Sequence, residues 1–246
     1  IYPSLATLKI CLKIIKHLIV NSLKGKWMTP MTTENLELRR DHLVEAMLVH
    51  VPFDGWAWSA LEAGAKDLGQ EPGDARLAFT GGMGEVADHF ARWSDRRMLA
   101  ELLTIDLESM RVRDRIHTCI KTRLVMNAEH KESLRRLLSF LALPQNAGRL
   151  SRMTWRSCSE IWYAAGDTST DWNHYSKRGL LVPVYSSTIL HWMADDGDGD
   201  GDFPETWAFL ERRIDDVLRT FRMPRRVKDR LARLFTPMEF GRRRSA

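Results

Sequence analysis

Cysteine is scarce in this chain: Cys11, Cys119 and Cys158 are three among 246 residues, scattered, with no C-x-x-C pair. That excludes a disulfide framework and a cysteine-built zinc site, and suits a reducing compartment. Metal-ligating spacings are equally thin. Despite eight histidines there is no Glu-x-x-His pair and no H-E-x-x-H, the patterns that build di-iron and zinc sites on helices. Asp114 and His117 stand three apart, a lone pair better read as a solvated hydrogen bond. No G-x-S-x-G, phosphate loop or dinucleotide fingerprint occurs, since Gly81, Gly82 and Gly84 have neither a preceding strand nor a lysine. No catalytic constellation emerges, so the protein is expected not to be an enzyme and to need no cofactor. Long apolar runs are missing too: every uncharged stretch near the N-terminus falls short of the roughly 18 residues needed to span a bilayer. No period-two alternation marks a strand, and no repeat is visible.

What the chain has is charge, unevenly placed. The formal net charge is +5, with 44% hydrophobic and 28% charged residues, a soluble globular balance. Residues 1–27 carry five lysines and no acid, and residues 222–246 carry nine Lys or Arg against Asp229 and Glu239. The middle is therefore acidic, and an anionic surface would be met by the ends. The first stretch, residues 1–33, reads either as a basic amphipathic tail or as an overextended gene start. The second reading is favoured, and the stretch is set aside from the fold.

From Leu36 onward the pattern is all helix. Leu43, Ala46, Met47 and Leu48 make one apolar stripe, broken at Pro52 and Gly55; an Ala-rich helix runs from Trp56 to Leu68; a short one follows Pro72. Further helices are predicted at about 85–104, 105–127, 131–143, 150–165, 171–193, 204–220 and 224–236. The head, residues 34–90, resembles the helix-turn-helix of tetracycline-repressor-like regulators. Its chemistry does not follow. Four basic residues (Arg39, Arg40, Lys66, Arg76) face eleven acids between Glu34 and Phe90, so a polyanion is repelled rather than bound. The expected fold is an all-α, repressor-like bundle with a degenerate helix-turn-helix head.

One stretch is unusually aromatic for a polar turn: Trp162, Tyr163, Trp172 and Tyr175 flank Gly166. Gly166 suits a left-handed helix end, and Thr168, Thr170 and Asp171 offer caps to the next helix. The run W-x-x-A-G-D-x-S-T-D from Trp162 to Asp171, then an aromatic, Asn173 and Y-x-x-R, resembles the Coq-nine family of ubiquinone-biosynthesis accessory proteins. The resemblance continues at D-F-x-x-T-W-x-F-L-x-x-R, Asp202 to Arg213, and runs back to about Leu36.

That resemblance implies a non-catalytic lipid-binding protein that presents isoprenoid quinone intermediates to the di-iron demethoxyubiquinone hydroxylase. The implied partner patch is Ile161, Trp162, Asp171, Trp172, Asn173, His174, Tyr175 and Arg178, where animal members carry Trp in place of His174. The same residues also admit a purely structural reading, as buried core and caps. An implied body, residues 91–221, would hold an isoprenoid quinone or phospholipid in an apolar tunnel lined by Met126, Leu137, Leu138, Phe140, Leu141, Trp155, Tyr185, Ile189 and Trp192. Taken alone, these residues read as ordinary core. A tail, residues 222–246, places Val227, Leu231, Leu234 and Phe235 on one helical stripe with Arg225 and Arg226 elsewhere. Such a helix either docks on anionic lipid or packs on its own domain, and the resemblance favours docking. The implied location is cytoplasmic, peripheral on the inner face of the membrane, or on the matrix side of a mitochondrion. Nucleic acid is not expected as a partner, and a homodimer stays open. The alternative is a ligand-responsive repressor-like regulator. Finally, the run Asp195–Asp202 mimics a calcium loop from Asp196, but its twelfth position is Trp207, where a bidentate Glu belongs. A solvated acidic loop is the better reading.

Overall fold

A computed structural model of the chain describes residues 33–167, 172–198 and 201–222. The basic tails and the caps at Thr168, Thr170 and Asp171 lie outside the described residues, as do Arg225, Arg226, Val227, Leu231, Leu234 and Phe235. The chain divides into two compact units, Ile1–Arg40 and Asp41–Ala246; of the first, only the opening of one helix is described.

The described residues hold helices and no strand: α1 (Thr33–Asp54), α2 (Trp58–Asp67), α3 (Pro72–Ala78), α4 (Met83–Leu102), α5 (Val112–Val125), α6 (Lys131–Leu141), α7 (Ala147–Ala164), α8 (Trp172–Ala194) and α9 (Pro204–Arg222). The α1 stripe is Leu43, Val44, Met47, Leu48 and Val51, all fully or nearly fully buried, with Ala46 at its rim. Pro52 does not end α1, which continues to Asp54. A proline there cannot donate to the carbonyl four residues back. That carbonyl, of Leu48, instead accepts the Ser133 hydroxyl from α6 at 2.6 Å. The break comes at Gly55, in the left-handed conformation at φ 74°. α2 then packs so closely on α1 that a Cβ on Gly64 would sit 2.6 Å from the Met47 nitrogen.

α5 is shorter than the sequence pattern suggests. Residues 103–111 form turns, because the Thr104 hydroxyl bonds back to the Glu101 carbonyl and the Asp106 carboxylate takes the Ser109 N–H. These local bonds compete with a helix for the same backbone groups. The body is built by α4 to α9. α6 shows its Leu134, Leu137 and Leu141 inward, each worth roughly 1.5–3 kcal/mol on burial. The acidic run before α9 serves as a cap: Asp195 accepts the Thr206 N–H and hydroxyl, while Asp202 accepts the Trp207 indole N–H at 2.6 Å.

Candidate functional site

Two hollows lie in the body, and α8 contributes to both. The first, about 80 Å³, is bordered by α4 to α8 and is partly open. Its walls include Leu134, Leu137, Leu138 and Leu141 of α6, Leu150 and Met153 of α7, and Ile189 and Met193 of α8. One side is polar, formed by Arg123, Ser157 and Tyr185. The second, about 100 Å³, is a groove between α5, α8 and α9, lined by Ile116, Leu181, Val184, Ile214, Leu218 and Trp162 among others. The two share no lining residue. Both fall below the roughly 300–1,000 Å³ of a drug-sized ligand pocket, so a long tail enters only if side chains give way.

The polar side of the first hollow is a buried network. Arg123 donates through Nε to Asp95 Oδ1 at 2.8 Å, and through Nη2 weakly to Ser157 Oγ at 3.4 Å. Ser157 in turn donates to Asp95 at 2.9 Å. Asn127 binds the Arg123 carbonyl at 2.7 Å and accepts from Ser94. The guanidinium stands 5.7 Å from the centre of the Tyr185 ring. Burial pushes the Tyr185 phenol well above its ordinary range, with Arg123 opposing, so the ring stays neutral.

Of the lipid-lining residues expected from the sequence, Leu137, Leu138, Leu141, Tyr185 and Ile189 line this hollow, whereas Met126, Phe140, Trp155 and Trp192 lie outside its lining. Trp192 is fully buried in a separate aromatic cluster, edge-on to Phe203 with Lys131 5.3 Å from its ring. Trp155 stacks at 6.4 Å on the exposed Tyr175. Asp95, Arg123 and Ser157 were not singled out by sequence reasoning. Their signal was phase: Asp95 falls on the stripe of Ala91, Met98 and Leu102, and Arg123 on that of Ile116 and Ile120. A charge in step with core positions is a buried charge.

The motif around Gly166 is a helix end of defined geometry. Gly166, at φ 88°, donates to the Tyr163 carbonyl and Asp167 to the Trp162 carbonyl, the paired bonds that close a helix on a left-handed glycine. Asp167 then accepts Lys177 at 2.7 Å and Arg178 at 3.4 Å. Arg178 also reaches Ser159, and the Trp162 indole donates to the Lys177 carbonyl. Among the proposed partner residues, Ile161 and Arg178 are buried, Trp162 is half-buried and Tyr175 is exposed. The side chains of Trp172, Asn173 and His174 lie outside the described residues, like Asp171. The motif thus ties α7 to α8 and leaves Tyr175 on the surface.

The remaining candidates are inert or already engaged. Burial pushes the Cys119 and Cys158 thiols up to about 12, leaving both protonated and unreactive. His117 is half-buried, and burial pulls its pKa down against a smaller pull from Glu211. In the head, Arg76 of α3 is paired with Glu62 and lies 5.2 Å from the Trp58 ring. The charge of this exposed arginine is thus offset by a neighbour on α2. No described helix is long and apolar enough to cross a membrane.

The solved structure of the TetR transcriptional regulator from Nitrosomonas europaea superposes with a TM-score of 0.58 at 20% identity, over 73% of this chain and 98% of that one. Fold and site define a repressor-like helical fold with a net acidic head and, in its body, an apolar hollow with one polar side. Within that class the chain is similar to the COQ9 proteins. Residues 147–220 match the COQ9 family model. The mitochondrial ubiquinone biosynthesis protein COQ9 of Homo sapiens is 30% identical over 202 residues, and that of Rattus norvegicus 32%. Dictyostelium discoideum has a probable homologue at 24% over 193 residues. The chain spans 62–64% of these relatives' own length.

Proposed function

We propose that this protein serves ubiquinone biosynthesis as a non-catalytic lipid-binding accessory. It takes an isoprenoid quinone precursor out of the membrane and presents it to a partner hydroxylase at the membrane surface. Residues 34–90 act as a relict head, 91–221 as the lipid-holding body and 222–246 as the docking segment. The observation that carries the reading is the apolar hollow of α4 to α8 in a chain similar to COQ9. The energetics favour such a carrier. Each buried CH₂ is worth about 0.8 kcal/mol, so an isoprene unit costs on the order of 3–4 kcal/mol to expose to water. Partner contact falls on the face around Tyr175, steadied from beneath by Asp167 and Arg178. The working site is the inner membrane face, which is the matrix side in a mitochondrion.

Lipid extracted from protein purified out of its native host, identified by mass spectrometry, tests the reading. An isoprenyl quinone is expected; phospholipid alone would overturn the quinone assignment. Leu231→Glu with Phe235→Glu is expected to lower liposome co-sedimentation several-fold, by removing the apolar face of the basic segment. Unchanged sedimentation would count against docking by that segment.

A further inference from the structure

The lipid-holding reading leaves the second hollow, the groove between α5, α8 and α9, unused. Its walls include Ile116 of α5, Leu181 and Val184 of α8, and Ile214 and Leu218 of α9, with Trp162 of α7. Two cations border it, and each is already held: Arg113 by Asp215 at 3.1 Å, Lys177 by Asp167 at 2.7 Å. An anionic head group would find these countercharges taken, so the groove suits an apolar occupant. At about 100 Å³ it admits a few side chains rather than a ligand of drug size. It is also open, since Val112 and Leu218 of its lining are 51% and 40% exposed. Leaving such a wall to water is unfavourable.

The chain itself carries a cover at the right place. His191, near the end of α8, stacks at 4.4 Å on Phe209 in the first half of α9. Lys177, near the start of α8, shares the groove with Leu218, near the end of α9. The two helices are therefore antiparallel, and α9 delivers the chain at the groove: Leu218 is about one helical turn before its last residue, Arg222. Pro224 disfavours helical backbone at Met223, so the sequence calls for a break there. Residues 223–226 can span about 13 Å when extended, enough for the chain to reverse. Beyond them Val227, Leu231, Leu234 and Phe235 recur at helical spacing, a stripe about 12 Å long as helix. The part of α8 that borders the groove, Lys177 to Val184, is about 10 Å long by the same measure. Stripe and groove match in length and in apolar character. The segment's cations, Arg225, Arg226, Lys228, Arg230 and Arg233, fall off the stripe and can stay in water.

We propose that this groove is the resting seat of the chain's own basic segment, residues 223–246, which leaves it when its apolar face enters a membrane. One face cannot lie in both places, so groove and bilayer compete for it. Membrane binding by such a segment draws on the apolar face as well as on the cations, and a seated segment has only cations to offer. Docking thereby bares the groove beside Trp162 only where a membrane is met. This rests on the docking reading above and adds what the segment does away from the bilayer.

The test compares the full wild-type chain with the double variant Val112→Gln, Leu218→Gln. An amide wets the groove without adding charge, which would itself alter attraction to the basic segment and to anionic vesicles. Both positions are exposed, thermal melting checks the fold, and the two single variants carry the comparison if the double variant melts early. Two quantities are read: the rate at which trypsin cuts the segment in the absence of lipid, and co-sedimentation with vesicles of equal parts phosphatidylcholine and phosphatidylglycerol. The variant should be cut several-fold faster than the wild type and should co-sediment several-fold more. Cutting at the wild-type rate overturns the seat. Lower co-sedimentation overturns it too, because the groove would then be what meets lipid. A smaller molar mass of the variant by light scattering assigns the groove to a second copy of the chain and overturns an internal seat. If neither protein co-sediments, the docking reading fails, and the trypsin comparison alone decides whether the segment lies in the groove.

Discussion

The head and the body of this protein are assembled from similar amphipathic helices, but they bury different things. From Asp41 through α3 no charged side chain among the described residues is buried, though the buried Trp56 indole donates to the Met83 carbonyl; from α4 onward Asp95, Arg123, Asn127, Ser157, Arg178 and others are buried. The head is packed through the α1 stripe and the tight seat of Gly64, with Asp41 tying α1 to His89 and Arg96 of α4. Arg76 of α3 is at the surface and paired with Glu62. Desolvated polar groups add little to stability that apolar residues could not supply, so stability alone does not account for their concentration in the body.

Each of four changes would break or sharpen that contrast. Arg123→Met strands the Asp95 carboxylate in the core and should cost about 3–5 kcal/mol in denaturant unfolding. Replacing Asp95 by Leu as well should recover most of that loss. Gly64→Val drives a side chain into the α1 backbone and should cost about 1–3 kcal/mol by overpacking, the head's counterpart in pure sterics. Arg76→Ala removes a surface pair worth about 0.2–1 kcal/mol. In a gel-shift assay at physiological salt, neither that variant nor the wild type should retard genomic DNA; retardation by the wild type would restore the regulator reading.

The smallest effect is one of pH. Burial lowers the folded-state pKa of His117 and of His130. Below the ordinary value of about 6.5 the unfolded chain therefore takes up protons that the folded one refuses. Stability should fall gently as pH drops from 7.5 to 5.5, read as a shallow decrease in Tm. A flat or rising Tm would show that these rings are wetter than they look.

Much of this architecture is legible in the residues. Apolar spacing locates α2, α3, α6 and α8 closely, and Gly166 ends α7 as its position demands. The miscues have local causes. Pro52 looks like a stop, and only a partner 85 positions away in sequence, Ser133, explains why the helix survives it. The turns at Thr104 and Asp106 hide inside an otherwise helical pattern. The lining was harder. Met126, Phe140, Trp155 and Trp192 are as apolar as Leu137 and Ile189, but which face of a helix borders a hollow depends on neighbours that no spacing reveals. The network at Asp95 joins residues on α4, α5 and α7, separated by 28 and 62 positions; phase marks Asp95 and Arg123 as inward-facing but does not show that they meet.

The Ser133 bond to Leu48 has one more effect. α6 is at once the leucine wall of the hollow and the strut that steadies the last turn of α1, so the two cannot move independently. Widening the interior by shifting α6 must either stretch that tie or pull the end of α1 with it. Occupancy of the interior would then register as altered amide exchange near Leu48, giving a reporter of loading on a region that never touches the load.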